Sequence, residues 1–190
     1  MKSKVDLGQF PTSPTLIGKK VYLRPAAPED YLEVHSWFNS SDPQSQTCHA
    51  VRIMSPEERV KKMHKKEYRD DEGRFVVAAT ENHRLVGEIS YFHMNMLNRS
   101  AELGYIVAPA ERGNRFAKEA LQLLVKYLFL DMNLNKVYAQ TASFNKASIK
   151  LLESIEFKLD GTLRQHHYYK GDLYDDLVYS LLRFEYGPAE

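Results

Sequence analysis

The sequence predicts an α+β (mixed α/β) domain in which a largely antiparallel central sheet is flanked by helices. Three observations carry that prediction. Apolar residues recur with period two in several short segments and with helical spacing in others. The segments follow the order strand, two helices, three strands, helix, strand, helix, two strands, a mixed pattern. With 190 residues, 43% of them apolar, the chain is long enough to bury about 70% of the surface its unfolded form exposes, so it needs no metal or disulfide staple. Residues 16–190 read as one domain.

Residues 1–15 contain Gly8, Pro11 and Pro14 among Ser and Thr, with few apolar anchors, and read as a mobile N-terminal arm. Val21 to Arg24 alternates and meets Pro25, whose ring removes a ladder donor, so a short strand is expected. Pro28-Glu29-Asp30 opens a helix that gathers Tyr31, Val34 and Phe38 on one face. Ser55-Pro56-Glu57-Glu58 is a capping box and starts a second helix to about Lys66.

From Phe75 the period becomes two. Phe75 to Ala79, Leu85 to Phe92 and Ala101 to Val107 predict an antiparallel meander. Ala117, Ala120, Leu121, Leu124, Val125 and Leu128 then form an apolar stripe that predicts a helix to Leu130. Val137 to Thr141 follows as a strand and Asn145 to Ile155 as a helix. Lys158 to Arg164 and Leu173 to Leu182 read as two last strands around a Lys170-Gly171-Asp172 turn.

Composition excludes several classes. Twenty-six Lys and Arg balance 25 Asp and Glu, so bulk charge predicts neither a nucleic-acid nor a membrane partner. The lysines at 61, 62, 65 and 66 read as a solvated helix face. A single cysteine, Cys48, forbids an internal disulfide and a cysteine-based zinc cage, so no metal is expected. No apolar run approaches the roughly 18 residues of a spanning helix. The polar start Met1 to Asp6 lacks a signal-peptide core, and a soluble cytoplasmic protein is expected.

The most informative segment is Val107 to Ala117, which leaves a strand and enters the strongest helix within a few residues. Free amides at a helix start, backed by the positive end of its dipole, suit a pyrophosphate. Gly113 permits close backbone approach, Asn114 tolerates unusual dihedrals, Ala117 keeps the first turn thin, and Arg112 and Arg115 add positive charge. No Gly-Lys-Ser/Thr follows, which excludes a Walker loop.

With Ala101-Glu102-Leu103-Gly104-Tyr105 before this loop and Asn145 to Glu153 and Phe157 to Arg164 after it, the chain resembles the GNAT acyl-CoA N-acyltransferases. Within them it is most similar to the Rim-type group, which includes ribosomal-protein N-terminal acetyltransferases. The resemblance runs from about Leu16 to Leu182. Its central motif, Gln/Arg-x-x-Gly-x-Gly/Ala, falls on Arg112, Gly113, Asn114, Arg115, Phe116 and Ala117, with Arg115 where the family carries glycine. A second family glycine, before Phe157, is replaced by Glu156.

The resemblance implies the GNAT fold, with acetyl-CoA as donor, a primary amine as acceptor and direct attack of the amine on the thioester. An α-amine with a pKa near 8, or a lysine amine near 10.4, must then lose a proton. That calls for a base, an oxyanion donor and an acid for the leaving sulfur. The family's oxyanion amide falls at about Val107. Its usual tyrosine acid falls on Leu152, which has no proton to give.

Rim-type members can use a serine three residues after the asparagine, here Ser148, while Asn145 caps the helix and is implied to bond the pantetheine arm. His167 and Glu102 are the two candidate bases. An imidazole is mostly neutral at pH 7, and Glu102 shares a strand face with Gly104 and Ile106.

Trp37, Tyr168, Tyr169 and Tyr174 are candidate walls for the acceptor, a protein N-terminus or a small amine such as an aminosugar, polyamine or xenobiotic. Asp175-Asp176 reads as hairpin surface or as an attractor for a cationic amine. A non-catalytic acyl-CoA-binding domain, suggested by Arg115 and Leu152, is the rival expectation. The resemblance leaves room for a homodimer.

Overall fold

The computed structural model describes residues 16–27, 29–39, 55, 57–58, 61 and 69–187. The predicted arm, Cys48 and most of the second predicted helix lie outside the described residues. The capping box that starts that helix is formed: the Ser55 amide donates to Glu58 Oε2 at 2.9 Å, and the Glu58 amide to Ser55 Oγ at 3.2 Å.

Eight strands form one sheet: β1 (Leu16–Ile17), β2 (Val21–Pro25), β3 (Gly73–Ala79), β4 (Leu85–Asn95), β5 (Ser100–Val107), β6 (Lys136–Ala142), β7 (Lys158–Tyr169) and β8 (Asp172–Leu182), in the order β1-β2-β3-β4-β5-β6-β8-β7. All neighbours are antiparallel except β5 and β6. That parallel pair follows from its connection, because helix α2 (Phe116–Leu130) lies between the two strands in sequence and returns the chain to the same end of the sheet. Helix α1 (Asp30–Asn39) follows β2, and α3 (Lys146–Glu153) follows β6.

The helices divide the sheet into two buried faces. The apolar stripe of α2, with Leu121, Leu124 and Leu128 fully buried, packs on Val21, Leu23, Val77, Ile89 and Leu103. Each such side chain contributes about 1.5–3 kcal/mol through apolar burial. On the other face, Val34 and Trp37 of α1 pack on Val76, Ile106 and Ala108. The helix thus buries Val34 with Trp37, while the predicted companions Tyr31 and Phe38 are only partly covered.

A buried ion pair fixes where α1 begins. Arg24 Nη1 and Nη2 meet Asp30 Oδ2 and Oδ1 at 2.5 and 2.9 Å, and the Ala27 amide donates to Asp30 Oδ2 at 2.6 Å. Burial alone would raise the Asp30 carboxyl, but the Arg24 hydrogen bond, the Ala27 amide and the Arg24 charge outweigh it and hold the group below the usual carboxylate range.

The last hairpin is longer than its sequence pattern suggests, since β7 runs to Tyr169 rather than Arg164. Its register shifts between Leu163 and His167, where a bulge is anchored by the Gln165 amide donating to Asp175 Oδ1 at 2.9 Å. Such a bulge breaks simple alternation and re-aims the side chains after it. Here His166 is exposed and His167 buried. A two-residue turn, Lys170 at φ +49° and Gly171 at φ +101°, closes the hairpin with the positive dihedrals that such turns need.

At the end of α3, Glu156 stands at φ +68°, and the next amide, of Phe157, returns to the Leu152 carbonyl at 3.1 Å. The chain therefore keeps a left-handed helix stop without the glycine that makes it easy, at a cost of about 1–2 kcal/mol. Glycine also widens the unfolded ensemble, which returns about 0.5–1 kcal/mol of that gain. Glu156→Gly is therefore expected to raise stability by about 0.5–1 kcal/mol and Tm by about 2 °C in a thermal melt. A lowered Tm would show that the Glu156 side chain stabilises the fold by more than its backbone costs.

Candidate active site

The site is built around a parting of strands. β5 pairs with β6 only at Ser100↔Lys136, Ala101↔Val137 and Glu102↔Tyr138. Beyond that point β5 stays paired to β4 as far as Val107, and β6 stays paired to β8 as far as Ala142. A wedge-shaped gap thus opens between Leu103–Val107 and Ala139–Ala142, and each side presents a backbone edge with no strand on it. α2 and α3 both begin at the open end.

The predicted phosphate loop closes that end. A 3₁₀ turn at Pro109–Glu111 leads to Arg112 in an extended conformation, Gly113 at φ +86° and Arg115 at φ +66°. Arg115 occupies the N-cap position of α2 and makes no side-chain cap, so no side chain at that position serves the first-turn amides. Arg115 thus adopts the conformation that glycine would take in the family motif, with its side chain left in solvent.

The first turn's only acidic residue, Glu119, is engaged elsewhere: it accepts the Lys19 amide and, at 2.9 Å, the Lys20 amide. A Cβ on Gly113 would meet nothing within 4 Å, which leaves open space above the loop. Glu111 takes Arg84 at 2.9 Å and Asn114 at 3.4 Å, whereas Arg112 and Arg115 make no ion pair among the described residues. Uncapped amides, a helix dipole and two uncompensated guanidinium groups fit a diphosphate. Beneath the loop, a cavity is lined by Val77, Val86, Ile89, Tyr105, Val107 and Phe116.

Across the gap stands the start of α3. Asn145 caps it by accepting the Ser148 amide at 3.2 Å. The Ser148 hydroxyl does not bond its own helix backbone; its Oγ lies 2.7 Å from the hydroxyl of Tyr105 on β5, so the contact spans the wedge. Burial pushes the Tyr105 hydroxyl up to about 12, against a lowering contribution from the Ser148 hydrogen bond. Leu152, one turn further along α3, is fully buried in the main core.

His167 lies at the same end of the sheet as α3. Its Nδ1 is 3.2 Å from Asp176 Oδ1, a close but poorly aligned contact in which that oxygen accepts no hydrogen bond. Gln140 on β6 holds the other carboxylate oxygen at 2.8 Å. The Phe144 ring packs edge-on against His167 and also touches Tyr169 and Tyr174. Glu102 sits elsewhere, at the closed end of the wedge on the α1 face, with Oε2 3.1 Å from His93 Nδ1.

The structure therefore gathers the loop, Val107, Asn145 and Ser148 around the open wedge and places His167 at the neighbouring strand ends. Glu102 is apart from them. Trp37 is a core residue, 6% exposed, and Tyr168 projects into solvent at 69%. Asp176 is buried beside His167 rather than on the hairpin surface. Sequence reasoning gave no role to Tyr105 or Gln140 and did not pair Asp176 with His167, because the partners of all three come from distant segments. Among the described residues no group of three or more His, Cys, Asp or Glu is arranged to hold a metal, and no helix is long and apolar enough to cross a membrane.

Known proteins are similar to this chain in sequence and in fold. The chain matches the family model described as acetyltransferase (GNAT) domain over residues 20–158. It is 37% identical over 113 residues to the uncharacterized N-acetyltransferase p20 of Bacillus licheniformis, covering 60% of this chain and 64% of that protein. It is 34% identical over 102 residues to YdaF of Bacillus subtilis, named as a proposed ribosomal N-acetyltransferase, covering 54% and 56%. The chain thus spans less than two thirds of the length of these relatives.

Among solved structures, the spermidine N-acetyltransferase of Vibrio cholerae in complex with CoA and spermine superposes with a TM-score of 0.81 at 26% identity, covering 87% of this chain and 97% of that one. A model match over most of the chain, on a fold shared with a solved N-acetyltransferase, makes this protein a member of the GNAT family of N-acetyltransferases.

Proposed function

We propose that the protein transfers the acetyl group of acetyl-CoA to a primary amine of a small, polyamine-like molecule. The observation that carries this reading is the parted β5–β6 wedge closed by an uncapped helix start. A solved relative with the same fold over 97% of its length is a spermidine N-acetyltransferase in complex with CoA and spermine. Acetyl-CoA, when bound, supplies an activated thioester carbonyl. The Phe116 and Ala117 amides, with Gly113 and Asn114 allowing close approach, would hold its diphosphate, and Arg112 and Arg115 would neutralise it. Asn145 would orient the pantetheine arm, and the backbone at Val107 would face the carbonyl oxygen.

Two side chains then handle protons. Ser148 stands at the wedge where the sulfur departs and donates to it. His167, oriented beside Asp176, accepts the proton that the amine nitrogen gives up, directly or through water. Glu102 is the alternative base and is less favoured, because it lies at the closed end and already contacts His93.

The reading is tested by free-thiol release from acetyl-CoA against spermidine, spermine, aminosugars and N-terminal peptides. Turnover is expected to be fastest with the polyamines. Preference for peptides would reassign the acceptor to a protein N-terminus. Calorimetric CoA binding without thiol release from any amine would make the protein a non-catalytic acyl-CoA-binding domain.

His167→Ala is expected to lower kcat/KM by about a hundredfold and to remove the acid limb of its pH profile, while Glu102→Gln leaves both in place. The opposite pattern would assign the base to Glu102. Arg115→Gly is expected to weaken CoA binding about fivefold in calorimetry, equivalent to about 1 kcal/mol, with the difference shrinking in high salt. Tighter binding would mean that the guanidinium obstructs the loop.

A further inference from the structure

We infer that Tyr105 is a positioning residue for Ser148, donating to the serine oxygen across the strand gap so that the serine's own proton is presented to the departing sulfur. The inference rests on the acetyl-transfer reading above and concerns a residue to which neither the family motif nor the sequence pattern gives a role. Its basis is a single contact, 2.7 Å between two hydroxyls that lie 43 residues apart in sequence and on opposite sides of the wedge.

Either oxygen can serve as donor in such a pair, and chemistry decides between them. A phenol is a far stronger acid than an aliphatic alcohol and therefore the better donor. Burial, which pushes Tyr105 up to about 12, also keeps it protonated at every working pH. With Tyr105 donating, a serine lone pair is filled and the serine hydrogen is free to rotate away from the phenol.

The rest of Ser148 is equally constrained. Its amide is bound by Asn145, and the helix positions the residue in its first turn. The Tyr105 ring in turn lines the apolar cavity under the phosphate loop with Val77, Ile89 and Phe116, which fixes the direction of its hydroxyl. Without such a partner a serine rotor adopts several orientations, and only some of them point into the gap.

The proton count closes with the groups already named. The amine nitrogen forms the C–N bond and gives one proton to the base or to water. The C–S bond breaks and the sulfur takes one proton from Ser148. Tyr105 stabilises the negative charge that develops on the serine oxygen until water returns the proton. Tyr105 itself gains and loses nothing over the cycle.

The experiment is a double-mutant cycle with Tyr105→Phe, Ser148→Ala and the double variant. It is assayed with acetyl-CoA and the amine turned over fastest in the panel, beside thermal melts and NMR of ¹³Cζ-labelled tyrosine. Tyr105→Phe is expected to lower kcat about tenfold, with KM for acetyl-CoA within about twofold and Tm nearly unchanged. The double variant should be no slower than Ser148→Ala within about twofold, because the two groups act as one unit. Ser148→Ala should also shift the Tyr105 Cζ resonance.

Multiplying effects in the double variant, an unchanged kcat in Tyr105→Phe, or an unmoved Cζ resonance each overturn the inference. If Ser148→Ala is slow while Tyr105→Phe is not, this inference fails alone. If Ser148→Ala is as fast as wild type, the acid role assigned to Ser148 fails with it.

Discussion

A sheet normally pairs every backbone amide and carbonyl it buries, and this one gives up that pairing along half of β5 and the facing half of β6. The remaining features follow from that loss. The strands are kept apart by helices that start on either side of the gap, α2 from β5 and α3 from β6, each packed onto the sheet through its own apolar face. Unpaired strand edges facing one another invite closure or aggregation unless something occupies the space. Here the loop between β5 and α2 covers one end, and the Tyr105–Ser148 contact ties the two sides together in between. A narrow ligand with amide groups along its length suits such a slot, because it can meet the backbone groups that the missing ladder leaves open.

The two absent glycines show how far backbone geometry is dictated by its surroundings. Arg115 and Glu156 both adopt the left-handed conformation that glycine would take at those places. The packing of α2 and the return of the chain after α3 hold them there, and the strain is offset by the core those helices bury. A substitution that looks disruptive in the sequence therefore leaves the path of the chain unchanged and alters only what projects from it. At Arg115 that is a guanidinium in solvent beside the uncapped amides, and at Glu156 an exposed carboxylate.

Most of the sheet and all of α2 were legible in the sequence, since an apolar stripe running along a helix of about four turns and strands bounded by turn residues are local signals. The connection from β5 into α2 was legible for the same reason, being one short stretch between a strand and a helix. What escaped was set by distant pairing. The bulge after Leu163 hides the continuation of β7 and decides that His167 rather than His166 turns inward. Asp176 reads as hairpin surface until β6 and β7 are placed on either side of it, after which it is fully buried with Gln140 and His167 against it. Tyr105 alternates like any strand residue, and only the approach of α3 gives its hydroxyl a partner. Trp37 failed in the opposite direction: the core needed its ring opposite Val76 and Ile106 more than a cleft did.

The two candidate bases are separated by the same parting of strands that makes the site. Glu102 lies where β5 and β6 are still joined, five residues before Val107, which at the rise of an extended strand is about 16 Å along β5. Its backbone is laddered on both sides, and its carboxylate shares the α1 face with Phe92 and His93. His167 belongs to strands that end beside the start of α3, where Ala142 pairs with Asp176 and the Ser143 amide bonds the Asp175 carbonyl at 2.8 Å. In the proposed reaction a base has to reach a nitrogen held next to a carbonyl whose sulfur departs toward Ser148. That requirement favours a group anchored to the Ser148 side of the wedge, because the distance between acid and base is then set by the short Phe144–Asn145 connection instead of by the width of an open gap.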